Sequence, residues 1–199
     1  MIAQTGWTSG DLLRAIDASD LQNAADSYDV VALLIGVNNQ FRSASVSDFA
    51  YELDTLTGLA IGFAGSEADR VILISIPDWG VTPFAEGAPR DEIASEIDEY
   101  NEIIRVQAER SGVRFIDVTG ISRRATTELD LVAADGLHPS ASMYAEWVEL
   151  ILPVVLGGRT RRSNPHPNPL PWRERGQNPS FEPHRRSLRR SREKVASAF

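Results

Sequence analysis

The 199-residue chain contains no cysteine, which excludes disulfide bonds, a thiol nucleophile and zinc–thiolate sites. It also has no apolar run near the roughly 20 residues that cross a bilayer, and its N-terminus lacks the basic-then-apolar layout of a secretory signal. We therefore expect no membrane-spanning segment. Hydrophobic residues make up 42% of the chain and charged residues 24%, which together with the length favour one folded globular domain.

The net charge of −8 conceals two regions of opposite charge. Residues 159–199 carry eleven basic and three acidic side chains, a local charge of +8, which leaves −16 on residues 1–158. The negative charge of residues 1–158 repels the phosphates of nucleic acids, so nucleic acid is not expected as a partner. Residues 157–199 are rich in proline and arginine and lack apolar periodicity, so we predict a basic disordered tail without an assigned function.

In residues 1–156, continuous apolar runs alternate with segments of helical apolar periodicity. Continuous apolar runs predict buried strands at 29–35, 70–76 and 114–118, and Ile2-Ala3 reads as the end of another strand. Helical patterns fall at 9–25, 47–63, 91–111 and 140–155, with Gly65 and Gly112 as helix stops. The alternation predicts a three-layer α/β/α domain with its ligand site at the carboxyl ends of parallel strands.

Three short segments fall at strand ends of the predicted sheet: Thr5-Gly6-Trp7, Gly36-Val37-Asn38-Asn39, and Asp135-Gly136-Leu137-His138-Pro139-Ser140. Each has an ordinary structural interpretation when taken alone. Gly6 is then a loop glycine, Asn38-Asn39 a polar turn, and Ser140 the cap of the last helix. A metal site is not expected, because His138 is the only histidine in residues 1–158 and cysteine is absent.

In order and spacing, these segments resemble the SGNH hydrolase family, also called GDSL-type esterases, over residues 1–156. Gly6 matches the family's second block, Asn38 the third, and Asp135 with His138 the fourth. The resemblance implies a flavodoxin-like parallel sheet and hydrolysis of a small-molecule, lipid or carbohydrate ester without a metal or organic cofactor. His138 would be the general base oriented by Asp135, while Gly6 and Asn38 would donate hydrogen bonds to an oxyanion.

The chain departs from this family in lacking its Gly-Asp-Ser nucleophile motif. The motif precedes the block that Gly6 matches, so we expect the serine, its strand and the next helix to lie upstream of Met1. On this interpretation the full enzyme is an active esterase, and the 199-residue chain is poorly stable and nearly inactive. Ser9 is an alternative nucleophile, although it follows Gly6 instead of preceding it.

Two other functions stay open at this point. A non-catalytic binding module could keep the fold and pocket after losing the nucleophile. A flavodoxin-like or receiver-like domain would instead use Asp29 or Asp78, but no glycine-rich phosphate loop supports nucleotide or flavin binding. Tyr144 and Trp147 are interpreted as packing residues of the last helix.

Overall fold

The computed structural model describes residues 2–23 and 28–157, and all structural statements below concern these residues. They form a parallel sheet in the order β1-β2-β3, with β1 at Val31–Leu33, β2 at Val71–Ile74 and β3 at Arg114–Ile116. The α-helices are α1 Ser9–Asp17, α2 Val37–Phe41, α3 Val46–Phe63, α4 Arg90–Ser111, α5 Thr119–Arg123 and α6 Ala141–Gly157. The predicted α/β fold with a parallel sheet is confirmed.

The sheet separates two apolar cores, because successive side chains of a strand point to opposite faces. Val71 and Leu73 of β2 belong to the core formed with α3 and α4. Ile72 and Ile74 belong to the core formed with α5 and α6. All four side chains are buried, as their continuous apolar run predicts. A smaller cluster of Leu12, Ile16 and Leu56 packs α1 against α3 beside β1.

Local hydrogen bonds set the helix ends. Thr8 accepts the backbone N–H of Asp11 through its hydroxyl, while the Asp11 carboxylate accepts the Thr8 N–H at 2.9 Å. This capping box starts α1 and lowers the pKa of Asp11, chiefly through the Thr8 N–H. Gly112 ends α4 with φ +69°, a left-handed conformation that glycine adopts without strain. The predicted helix stop at Gly112 is confirmed.

Several predicted boundaries are wrong. α1 ends at Asp17 and a 3₁₀ turn follows at Asp20–Asn23, so the helix predicted over 9–25 is shorter, and residues 24–27 lie outside the described part. Ile2-Ala3 is not in a strand, and no described strand lies beside it to pair with. The short helices α2 and α5 were not predicted, since five residues carry too little periodicity to recognise.

Two other sequence expectations concern membrane spanning and the tail. In the described segments, no helix combines the length and hydrophobicity that crossing a membrane requires. The predicted tail lies outside the described residues from 158 onward.

Candidate functional site

A largely apolar cavity of about 270 Å³ lies at the carboxyl ends of β1 and β2. The turn at residues 5–7, the first turn of α2 and the loop before α6 all contribute to its wall. Gly6, Asn38 and His138 line it, and Asp135 is hydrogen-bonded to His138. The fold therefore brings the four predicted site residues to the carboxyl end of the sheet, where the ligand sites of parallel sheets occur.

The loop that carries His138 is held by backbone hydrogen bonds. The N–H of Ala133 donates to the His138 carbonyl at 2.8 Å, and Gly136 turns the chain with φ +75°. The Phe84 N–H donates to the Gly136 carbonyl at 3.0 Å, which ties this loop to the segment after β2. Ser140 then caps α6 by accepting the Met143 N–H, as its structural interpretation predicts. The histidine thus stands on a constrained loop.

Asp135 and His138 form a close hydrogen-bonded pair. His138 Nδ1 lies 2.6 Å from Asp135 Oδ2, while Asp135 Oδ1 accepts the backbone N–H groups of Leu137 at 2.9 Å and His138 at 3.0 Å. The His138 N–H, then the Leu137 N–H and then the imidazole lower the pKa of Asp135 to about 2. A charged carboxylate at Nδ1 favours the tautomer with its proton there, which assigns proton acceptance to Nε2.

The predicted oxyanion donors, Gly6 and Asn38, lie next to each other, and one N–H of the Asn38 amide is already in a hydrogen bond. Asn38 is 7% exposed, and its Nδ2 donates to the Trp7 carbonyl at 2.9 Å, next to Gly6. A primary amide carries two N–H donors, so the second one is the candidate for an oxyanion. The Asn38 Oδ1 atom is buried without a hydrogen-bond partner among the described residues.

Sequence reasoning missed the structural roles of Arg42, the C-cap of α2, which holds the turn at residues 5–7, and of Asn39 in α2, which holds the start of α1. Arg42 donates to the Gly6 carbonyl at 2.6 Å. Asn39 accepts the Ser9 N–H at 2.9 Å and donates to the Ser9 hydroxyl at 2.6 Å. These contacts join residues at least 30 positions apart, so no local sequence signal could have revealed them.

The described serines near the cavity have committed hydroxyl groups. Ser9 is fully buried, and its hydroxyl donates to Glu52 besides accepting from Asn39. Ser9 also does not line the cavity, which argues against it as the nucleophile. Ser122 does line the cavity, but its hydroxyl donates to the Thr119 carbonyl at 2.7 Å and accepts the Asp78 N–H at 2.9 Å.

Asp78 lies at the cavity wall in a structural role. Its carboxylate accepts the Gly80 N–H and pairs with Arg123 at 2.9 Å. Among the residues that the structure describes, no group of three or more histidine or acidic side chains is arranged to hold a metal ion.

Comparison with known proteins identifies a family. The family model for GDSL-like lipases and acylhydrolases matches residues 2–146. No significant match emerges among curated protein sequences.

Several solved structures share the fold. An acetylxylan esterase from Geobacillus stearothermophilus is 18% identical, with a TM-score of 0.58 over 75% of this chain and 68% of that one. A lipase/acylhydrolase from Enterococcus faecalis is 26% identical, with a TM-score of 0.56 over 76% of this chain and 72% of that one. The α/β hydrolase LAE5 from the metagenome of Lake Arreo, Spain, is 22% identical, with a TM-score of 0.56 over 75% and 68%.

The acetylxylan esterase was also solved as two variants described as catalytic mutants. One replaces an aspartate with alanine, and the other replaces the histidine three positions later.

Proposed function

Because the chain belongs to the GDSL-like lipase/acylhydrolase family, we propose that it hydrolyses esters through a serine–histidine–aspartate mechanism whose serine lies outside residues 1–199. The observation that carries the proposal is the 2.6 Å contact between His138 and Asp135 at a cavity that Asn38 also lines. This pair has the chemistry of a general base with its orienting carboxylate.

Each site residue has a defined role in acyl transfer. His138 takes the serine proton on Nε2 and passes it to the leaving alcohol, and Asp135 stabilises the imidazolium that forms. The Gly6 N–H and the second N–H of Asn38 donate to the oxyanion of the tetrahedral intermediate. Loss of one such donor typically raises the barrier by about 2.7–4 kcal/mol. Water then releases the acid in a second round of the same steps.

The neighbouring acetylxylan esterase supports the roles of Asp135 and His138. Its catalytic aspartate and histidine are three positions apart, the same spacing as in this chain. Its substrate also makes acetyl esters of carbohydrates one candidate class here, beside other acyl esters. An acetyl ester is therefore a reasonable first substrate for a test.

Two observations support a nucleophile from outside the chain. The hydroxyl groups of Ser9 and Ser122 are both committed to hydrogen bonds. In addition, β1 pairs only with β2 among the described strands, which agrees with a further strand on its other side that lies outside residues 1–199. Without that serine, the 199-residue chain is expected to be nearly inactive, because base and oxyanion donors have no hydroxyl to activate.

The test is hydrolysis of p-nitrophenyl acetate by this chain and by a version extended upstream in frame, each beside its His138→Ala variant. We expect activity in the extended version alone, lost on His138→Ala, and unchanged in the exposed-residue control Ser142→Ala. Equal His138-dependent activity in both versions would place the nucleophile within residues 1–199 and refute the external serine. An upstream frame without Gly-Asp-Ser would also count against it.

A second candidate is a binding module that has lost catalysis. The committed hydroxyl group of Ser122, the described serine that lines the cavity, favours it, since the cavity itself is retained. Folded protein that binds an ester without hydrolysing it, with or without the extension, would support this function over the enzymatic one.

A further inference from the structure

Two side chains from α2 and its C-cap hold the turn at residues 5–7. Asn38 Nδ2 donates to the Trp7 carbonyl at 2.9 Å, and Arg42 Nη2 donates to the Gly6 carbonyl at 2.6 Å. The Arg42 N–H also donates to the Asn38 carbonyl at 3.1 Å, so the two residues are one helical turn apart and lie on the same side of α2. One short helix therefore holds two successive carbonyl groups of this turn.

The backbone of the turn has little to fix it by itself. Gly6 has φ +86°, and glycine exchanges between backbone conformations at low cost. The backbone hydrogen bond that closes the turn, from the Trp7 N–H to the Gln4 carbonyl, is 3.3 Å long, which is beyond the usual range for such bonds. The orientation of the peptide groups around Gly6 therefore depends on the side chains that contact them.

The guanidinium group of Arg42 is itself anchored to the start of α1. Its Nη1 lies 3.8 Å from Oδ2 of Asp11, and the same carboxylate oxygen accepts the Thr8 N–H at 2.9 Å. Arg42 thus bridges the capping box of α1 and the carbonyl of Gly6, two residues before Thr8. A cation held at both ends restrains the turn more firmly than a single contact would.

Arg42 acts on the cavity from outside it. Gly6 and Asn38 belong to the described residues that line the cavity, and Arg42 does not. The Arg42 side chain is 44% exposed, on the other side of the turn that it holds. Its influence on the site therefore passes through the Gly6 carbonyl.

We propose that Arg42 is a positioning residue of the oxyanion site. By holding the Gly6 carbonyl, it fixes the backbone of Gly6 relative to the Asn38 amide, so that both donors point to one oxyanion. The inference rests on the proposed function, in which Gly6 and Asn38 are those donors. Donors that are fixed in advance need not reorient as charge develops, and a displacement of about 1 Å can cost about 10²-fold in rate.

The activity test uses the upstream-extended version that the proposed function requires. Arg42→Ala should lower kcat for p-nitrophenyl acetate by about tenfold or more and change KM by less than about twofold, because the donors act mainly in the transition state. Rates are expressed per active serine, counted by complete labelling with a fluorophosphonate. This count keeps a fraction of unfolded protein from being read as a lower kcat.

Two variants separate the contact with Gly6 from a general effect of charge. Arg42→Lys keeps a cationic donor without the planar guanidinium, so its kcat should lie between those of wild type and Arg42→Ala. Guanidinium ion at millimolar concentration should raise the kcat of Arg42→Ala saturably, by about threefold or more. The matched control is Arg14→Ala, which removes a 74% exposed cation that pairs with the same Asp11 carboxylate at 2.5 Å. Its kcat should stay within about twofold of wild type.

A second measurement needs no catalysis. In the 199-residue chain, the amide hydrogen of Trp7 should exchange about fivefold faster or more in Arg42→Ala than in wild type, as read by NMR. The Leu12 N–H, which donates to the Thr8 carbonyl at 3.0 Å inside α1, serves as the internal control. Its exchange rate should change by less than about twofold, because α1 keeps its capping box.

Three results would overturn the proposal. The first is an unchanged kcat in Arg42→Ala. The second is a higher KM with the same kcat, which would make Arg42 a residue that binds substrate. The third is equal acceleration of exchange at Trp7 and Leu12, which would indicate general destabilisation. An extended version without esterase activity would refute the proposed function and the catalytic role of Arg42 with it, while faster exchange at Trp7 alone would show that Arg42 holds the turn.

Discussion

Arg123 donates through Nε to Oδ2 of Asp78 at 2.9 Å, and the Asp78 side chain is only 1% exposed. Arg123 also contacts Asp98 of α4 at 2.8 Å. The Asp78 carboxylate, together with the Ser122 hydroxyl that accepts its N–H, fixes the chain where it leaves β2. One guanidinium therefore connects the cavity wall to α4 and α5.

Arg123→Ala should destabilise the protein by roughly 1–3 kcal/mol, because it leaves a buried carboxylate without its cation. Solvent screening limits the loss, because Arg123 is itself 37% exposed. Urea denaturation measures the change. The matched control is Arg105→Ala, whose ion pairs with Glu102 and Glu109 are exposed and should contribute less than about 1 kcal/mol. Equal effects of both substitutions would contradict the structural role of the buried pair.

Gly36→Ala should be strongly destabilising. Gly36 has φ +124°, and a Cβ there would lie 2.9 Å from two ring carbons of the buried Phe49. Strain and overpacking together should cost about 2 kcal/mol or more and shift Asn38, two residues later. Gly58 occupies an exposed helical position, where a Cβ would point into open space. Gly58→Ala should therefore stabilise the protein by about 0.5–1 kcal/mol. In thermal denaturation, the Tm should therefore fall for Gly36→Ala and rise for Gly58→Ala.

Ser9→Ala tests whether this hydroxyl is structural or nucleophilic. The substitution leaves Asn39 and Glu52 without their shared partner, so we expect a loss of about 1–3 kcal/mol in unfolding free energy. Ser142→Ala, at an exposed position, should stay within about 0.5 kcal/mol. Any His138-dependent esterase activity should survive Ser9→Ala in the folded protein, and its complete loss would revive Ser9 as the nucleophile.

The Asp135 carboxylate should leave a signature in acid. Its pKa is about 2 in the folded chain, below the ordinary value of 3.8, so the folded state binds fewer protons. The ionised Asp135 carboxylate therefore stabilises the folded state fully above about pH 4, and this contribution is lost as the pH falls from about 4 to 2. Denaturation across pH 2–6 should show the difference between wild type and Asp135→Asn shrinking in that window. Parallel pH profiles would contradict the hydrogen-bonded geometry of the loop.

Local patterns were enough to predict the sheet and the long helices. The buried run of β2 and the Gly112 helix stop are both encoded by neighbouring residues. Asp135 and His138 were paired in advance through the resemblance to the SGNH family, whose fourth block they match at a spacing of three positions. The same resemblance assigned Gly6 and Asn38 to the site.

Contacts between distant segments could not be predicted in this way. The structural interpretation of Asn38-Asn39 as a polar turn is wrong, because α2 begins at Val37, directly after Gly36 with its positive φ. The use of one Asn38 donor by Trp7 and the support of Gly6 by Arg42 depend on how α2 packs against the N-terminal turn. Such pairings follow from tertiary packing, which periodicity and motif spacing do not report.

The hydrogen bond from the Phe84 N–H to the Gly136 carbonyl has a practical consequence for engineering. It links the segment after β2 directly to the histidine loop. A substitution that moves the backbone at Phe84 is therefore expected to shift the loop that carries His138. Libraries designed to change substrate preference should therefore randomise residues 82–84 and 136–137 together. A change selected in one segment alone is expected to leave the other segment misplaced.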